Sequence, residues 1–256
     1  MKKKPLLLAS AIVVFFIVFA GLVFLPAILS SDMLKPRILQ SINQRLPGKL
    51  QVAQWRFKWF SGIEAKGIIY EDQKQNLFVE VAELKGYRGL AQLITNASNL
   101  GGIEIIRPQV LFYISDEQRP KASKKGAPSQ SAGLPAVAGI LKITDGIIRT
   151  ANLKGEEKTV VKDLDLFLDI SDIEKPIIYR VFLTSGDAVG HFAGEGTLTL
   201  SANDPLDLNA IQSDARLKIT NWELEDTLTI LASQGNYPYG KGRLNANLNV
   251  QGSSAE

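Results

Sequence analysis

The chain has 256 residues, 45% hydrophobic and 21% charged, which excludes a disordered protein and admits one large domain or two smaller ones. Its net charge of +3 comes entirely from Lys2, Lys3 and Lys4, so the body lacks the basic excess of a nucleic-acid binder. With no Cys there are no disulfides, no thiol catalysis, no Cys-ligated zinc and no lipoprotein lipobox, and the single His191 sits in a strand-like run, GHFAGEGTL.

The N-terminal run PLLLASAIVVFFIVFAGLVFLPAIL (5–29) carries no charged residue. About 20 apolar helical residues cross a bilayer, whereas a cleavable signal has an apolar core of only about 7–15. The run is read as an uncleaved anchor over 5–30, with a cleaved signal peptide as the alternative. Lysines before it keep residues 1–4 in the cytoplasm and the body outside it. Next, SSDMLKPRILQSINQRL (30–46) spaces Met33, Leu34, Ile38, Leu39, Ile42 and Leu46 as a helix does, with Ser31 or Asp32 as its cap and Pro47-Gly48 as its stop. This helix packs on the fold that follows, or lies at the membrane surface and plugs one end of it.

From residue 50 the hydrophobic period changes from helical to two. LQVAQWRFKWF sets Trp55, Phe57 and Trp59 on one face and Arg56 and Lys58 on the other. GIEAKGIIYED and NLFVEVAELKGY continue the alternation, RGLAQLITNA interrupts it as a short helix, and GIEIIRPQVLFYISDE resumes it with Ile103, Ile105, Val110, Phe112 and Ile114. Pro108 in that run predicts a bulge or an edge position. Residues 116–137, rich in Pro, Gly, Ser and Lys, form the one clear linker between a first unit over 31–115 and a second over 138–256. Seven more strands follow, the tenth of the chain being TLTILAS and the eleventh GRLNANLNVQG. Short Gly, Asn and Asp turns between most of these predict antiparallel neighbours, and no crossover-length helix separates the later strands.

The acidic residues invite a chemical reading and then resist it. In VKDLDLFLDIS, Asp163, Asp165 and Asp169 alternate with Leu164, Leu166, Leu168 and Ile170, the pattern of a strand with a wet and a dry side. A metal site needs convergent ligands, and the sequence offers neither a His partner nor an EF-hand loop. GNYPYGKG (235–242) approaches a phosphate-binding loop, but Gly242 stands where Ser or Thr is needed and a strand pattern follows where a helix is needed. Asn96-Ala97-Ser98 is a formal glycosylation sequon. No nucleophile elbow or dinucleotide fingerprint is present, so the sequence supports neither an enzyme nor a cofactor.

A one-sided apolar sheet must cover its dry face, by a second sheet, by closing into a barrel, or by holding lipid chains in a curved trough. Periodicity leaves all three open. The dry face carries hardly any polar residue that would fix a small ligand, which favours the third.

Three stretches carry a family resemblance: the anchor and helix ending LPGKLQVAQWRFKWFSGIEAKGIIYED, the run RGLAQLITNASNLGGIEIIRPQVLFYISDE, and the unit LKITDGIIRTANLKGEEKTVVKDLDLFLDIS. Together they cover most of residues 1–171, which resemble the AsmA-like family, with its TamB and YhdP relatives and a distant similarity to chorein-type lipid-transfer proteins. The resemblance implies a mainly β protein in which a transmembrane helix and a short amphipathic helix precede an elongated, strongly curved antiparallel sheet. It implies an inner-membrane-anchored periplasmic protein that carries phospholipid along a hydrophobic groove toward the outer membrane and supports outer-membrane integrity. The groove residues would be Trp55, Phe57, Trp59, Ile103, Ile105, Phe112, Leu164, Leu166, Leu168, Ile170, Val181, Leu183, Leu198, Leu200, Leu244 and Leu248, none of them catalytic. Partners would be phospholipid, the inner membrane and other envelope proteins. Eleven strands about 4.8 Å apart give a groove of about 50 Å, too short to bridge the periplasm, so the strand region is expected to continue in a longer protein or to need partners. A competing expectation is a scaffold that assists outer-membrane protein assembly or a secretion apparatus through its strand edges.

Overall fold

In the computed structural model, the described residues are 23–73, 76–96, 98–114, 138–152, 155–172, 175–199, 212–225 and 241–253. Residues 23–29 are helical, and helix α1 spans Lys35–Asn43. Three strands follow, β1 (Gly48–Phe57), β2 (Ile63–Asp72) and β3 (Leu77–Gly86), then helix α2 (Leu90–Thr95) and strand β4 (Asn99–Ile114). The second unit supplies β5 (Ala138–Asn152), β6 (Glu157–Asp169), β7 (Ile177–Ser185), β8 (His191–Thr199), β9 (Gln212–Glu223) and β10 (Arg243–Ser253). All ten strands lie in one sheet in sequence order, so the units on either side of 116–137 share a single sheet.

Every neighbouring pair is antiparallel except β4 and β5, which run parallel from Asn99↔Ala138 to Ile114↔Asn152. The sheet is therefore mixed, against the antiparallel expectation. The chain leaves β4 at one end of the sheet and re-enters β5 at the other, a return of about 50 Å at about 3.3 Å per residue. A parallel connection needs about a dozen residues or more, and the chain between the two strands, residues 115–137, is long enough for one. The linker is thus a crossover. Of the eleven expected strands, TLTILAS (227–233) lies outside the described residues, as do the anchor up to residue 22 and the phosphate-loop-like stretch up to residue 240. Among the described residues no helix is long and apolar enough to cross a membrane.

Helix α1 is shorter than its periodicity. Leu34, not Ser31 or Asp32, occupies the cap position, and Pro36 lies in the first turn. The helix runs along β1 and closes that sheet edge with polar side chains. Asn43 Nδ2 donates to the Leu50 carbonyl (3.0 Å) while Asn43 Oδ1 accepts from the Leu50 amide (2.7 Å). Lys35 Nζ donates to the Ala53 carbonyl, and Ser30 Oγ accepts from the Phe57 amide at 2.9 Å. An unpaired edge is a template for aberrant pairing, and these contacts block it. At the opposite edge, β10 pairs only with β9 among the described residues.

Strand interiors contain residues with left-handed backbone: Gly67 (φ 59°), Arg107 (50°), Asp145 (59°), Asp163 (52°) and Asn221 (49°). Gly, Asp and Asn tolerate this region best, which leaves Arg107 as the costly case. Such residues break the strict alternation of a strand, as β-bulges do. Simple alternation would put Ile148 and Val161 on the face opposite Leu183 and Phe192. Instead Ile148, Leu164, Leu183, Phe192, Ile219 and Leu244 all pack against the buried cluster Val160, Val161 and Trp222. The kinks at Asp145, Asp163 and Asn221 therefore re-aim the strands so that apolar side chains on both sides of each kink share one face. Pro108 lies directly after the Arg107 kink on an interior strand, paired to Val81, rather than at an edge.

This cluster is the nearest thing to a core. Eight hydrophobic side chains are buried among the described residues, and no large side chain is fully so. The sheet is not strongly curled.

Candidate functional site

The strand register, followed pair by pair, assembles two apolar rows that cross all ten strands. The first is Trp55, Ala65, Leu84, Ile105, Ile143, Leu166, Val181, Gly194, Leu217 and Leu248. The second lies two residues along each strand: Phe57, Ile63, Gly86, Ile103, Leu141, Leu168, Tyr179, Gly196, Ala215 and Val250. The tip of Tyr179 is the only polar side-chain group in either row apart from the Trp55 indole. That Trp55 N–H is buried without a hydrogen-bond partner, and the ring sits edge-on to Phe57 with centroids 5.7 Å apart.

Between these rows, on the other face, runs a charge ladder: Arg56, Glu64, Lys85, Glu104, Lys142, Phe167, Arg180, Glu195, Arg216 and Asn249. Opposite charges alternate across the first five strands, which favours each pairing and disfavours any slip by one strand. Lys142 Nζ lies 2.9 Å from Glu104 Oε1, and the Tyr87 hydroxyl donates to Glu104 Oε2 at 2.6 Å. These two donors hold the Glu104 carboxyl below its ordinary pKa, and Glu104 in turn raises the Tyr87 hydroxyl. Phe167 interrupts the ladder, and the Arg180 guanidinium compensates by stacking 4.9 Å over its ring.

A cavity of about 680 Å³ lies along β5–β10. Its lining combines the row Ile143, Leu166, Val181, Gly194 and Leu217 with the rows on either side of it, including Lys142, Phe167, Arg180, Asp165, Phe182 and Lys218. Adjacent rows alternate faces, so the flanking rows form its walls on the charged side and the middle row contributes the floor. The cavity is a trough on the wet face.

Eight of the expected groove residues fall in the two full rows: Trp55, Ile105, Leu166, Val181 and Leu248 in one, and Phe57, Ile103 and Leu168 in the other. Leu164, Leu183 and Leu244 pack on the Val160–Val161–Trp222 cluster at one end of the same face. Phe112 pairs with Leu77 and Thr150, one step beyond the Val110↔Ile148 pair that continues this face past the kink. Leu198 pairs with Ile177, and Ile170 exchanges backbone hydrogen bonds with Gly139 at the strand ends. Leu200 lies outside the described residues. Trp59 stands apart. It follows β1, and its indole N–H donates to the Val23 carbonyl at 3.2 Å, so it belongs to a corner rather than to a row. The alternation signal missed this because it does not mark where a strand stops.

The aspartates of β6 act separately. Asp163 forms the kink, Asp165 accepts from the Asp145 amide (3.0 Å), and Asp169 accepts from the Ser171 amide (2.9 Å), which lowers its pKa with the Ser171 side chain as the first cause. Among the described residues no three His, Cys, Asp or Glu side chains gather as a metal site. His191 is exposed and stacks on Phe182, with centroids 6.3 Å apart. Compared with protein-family models, with curated proteins and with solved structures, the chain matches none.

Proposed function

We propose that this chain is a membrane-anchored lipid-transfer protein whose apolar sheet face carries phospholipid acyl chains while head groups stay in water. One observation carries the reading: two unbroken apolar rows cross ten strands, and among the described residues no second layer packs on them. Ten strands at about 4.8 Å give an apolar track of about 43 Å. Covering it is worth about 25 cal/mol per Å² of apolar surface, and the attraction is non-directional, so a chain slides along the rows without discrete binding sites. In this reading the sheet curves around its cargo into a groove when lipid is bound. The protein is single-pass, with its N-terminus in the cytoplasm and its body in the periplasm of a Gram-negative cell. It works by passive transport rather than catalysis and serves outer-membrane integrity.

A second reading rests on the outer edge of β10, which has no strand partner among the described residues. It makes the protein a scaffold that accepts strands of envelope proteins by β-augmentation.

The test is photo-crosslinking in cells labelled with radioactive phosphate. Photoreactive residues go at Leu166, Leu168 and Leu198, with Asp165 and Thr197 as controls on the other face. The lipid reading expects label at the three leucine positions and none at the controls. A folded protein without label at any position overturns it and leaves the scaffold.

A further inference from the structure

We infer that one corner of the sheet, formed by the β1–β2 turn and helix α2, docks onto the phospholipid bilayer beside the N-terminal anchor and fixes how the sheet stands on the membrane. The inference rests on the anchored reading of residues 5–29 but not on lipid transfer itself. Large hydrophobic side chains are exposed at this corner: Phe24 (61%), Phe60 (77%) and Ile94 (66%), with Val23 and Ile28 beside them. They come from three segments that hydrogen bonds tie together. The Trp59 indole donates to the Val23 carbonyl, Ser30 Oγ accepts from the Phe57 amide, and the amides of Leu90 and Ala91 donate to the carbonyls of Lys58 and Trp59. Gly89 permits this last contact, since a Cβ there would lie 2.2 Å from the Trp59 carbonyl oxygen.

The occupant follows from the sequence that enters the corner. Residues 5–29 are free of charge and run directly into the helical residues 23–29. Val23 lies six residues before the end of that run, about 9 Å along a helix axis at 1.5 Å per residue. A partner bonded to its carbonyl shares that depth, which is the interfacial layer where Trp residues concentrate. Trp59 therefore marks the membrane interface, and Phe60 and Ile94 meet the same layer. An exposed apolar patch of this kind marks an interaction site, and its continuity with the anchor selects lipid over protein. The same docking brings the row that begins at Phe57 to the membrane end of the sheet.

The absence of Cys allows single probes to be placed cleanly in the full chain. Phe60→Cys, Ile94→Cys, Ile17→Cys and Val189→Cys variants, each carrying an environment-sensitive bimane, are reconstituted in vesicles of phosphatidylethanolamine and phosphatidylglycerol. Quenching by nitroxide-bearing phospholipid is compared with quenching by aqueous iodide. The expected result is loss of fluorescence to the lipid quencher at positions 17, 60 and 94, and loss to iodide alone at position 189, in the β7–β8 turn at the other end of the sheet. If position 17 responds to lipid while 60 and 94 respond only to iodide, the corner does not dock and the inference is overturned with the anchor intact. If position 17 also responds only to iodide, the anchor reading fails and takes the inference with it.

Discussion

Single residues in this sheet carry work that their type alone does not announce. Arg107 holds φ at 50°, a region that costs a non-glycine residue about 1 kcal/mol or more, and its side chain is exposed. Arg107→Gly removes that cost at the price of a looser unfolded chain. The expected net effect is a gain of up to about 1 kcal/mol, read as a rise in the urea midpoint with an unchanged slope. Glu104 makes a second prediction. Its folded-state pKa lies below the ordinary 4.5 because Tyr87 first, and then Lys142, donate to the ionised form. The unfolded state therefore binds the proton more readily, and stability rises with pH between the folded and unfolded values. The contribution is fully present above 4.5 and is lost as pH falls through the lower folded value. Glu104→Gln is expected to flatten the stability profile on the acid side of pH 4.5 and leave its neutral slope unchanged, measured by urea titrations at each pH. Tyr87, raised by the same contact, acts in the opposite sense and loses its contribution only as pH climbs through its raised value above 10.

At the scale of elements, the two sheet edges are treated differently, and the guarded edge gives the sharper test. Asn43 serves both the N–H and the C=O of Leu50, a strand-like pairing made by one amide side chain. Asn43→Ala is expected to cost about 1–2 kcal/mol through the two lost hydrogen bonds. It should also accelerate hydrogen exchange at the Leu50 amide ahead of the amides inside β2 and β3. Asn43 was legible in the sequence only as a polar position on an amphipathic helix, because an edge cap is a tertiary contact. The strands themselves were legible: ten expected runs became ten strands, since a half-buried sheet writes its period of two directly into Trp55, Phe57, Leu166 and Leu168. The parallel β4–β5 pair was not legible. A Pro-, Gly- and Ser-rich connection reads as a flexible tether whether it joins neighbours or returns along a strand, and only the register from Asn99↔Ala138 onward distinguishes them. The kinks were hidden for a related reason. Asp145, Asp163 and Asn221 look like solvated strand positions, yet their left-handed backbone decides that Ile148, Val161 and Trp222 join the apolar face.

For the whole molecule, the question is what the apolar face is for, and stability and occupancy separate the answers. In a sandwich or a self-packed scaffold, a Leu in the middle of the face would be core, and a carboxylate there would cost several kcal/mol as an uncompensated buried charge. Here Leu166 lies mid-row on β6, between Ile143 and Val181, and is only half-buried. Trp222, Val160 and Val161 are the buried group at one end of the same face. The lipid reading therefore predicts two different responses from one surface. Trp222→Ala should cost about 3 kcal/mol in unfolding free energy, the loss typical of a large buried side chain. Leu166→Asp should cost no more than about 1 kcal/mol in the lipid-free protein, yet abolish photo-crosslinking of phospholipid at Leu168 and Leu198, because a carboxylate in the track interrupts an otherwise continuous apolar path. If Leu166→Asp instead unfolds the lipid-free chain as severely as Trp222→Ala does, the face is covered by protein in the native state and the track is not a path for lipid.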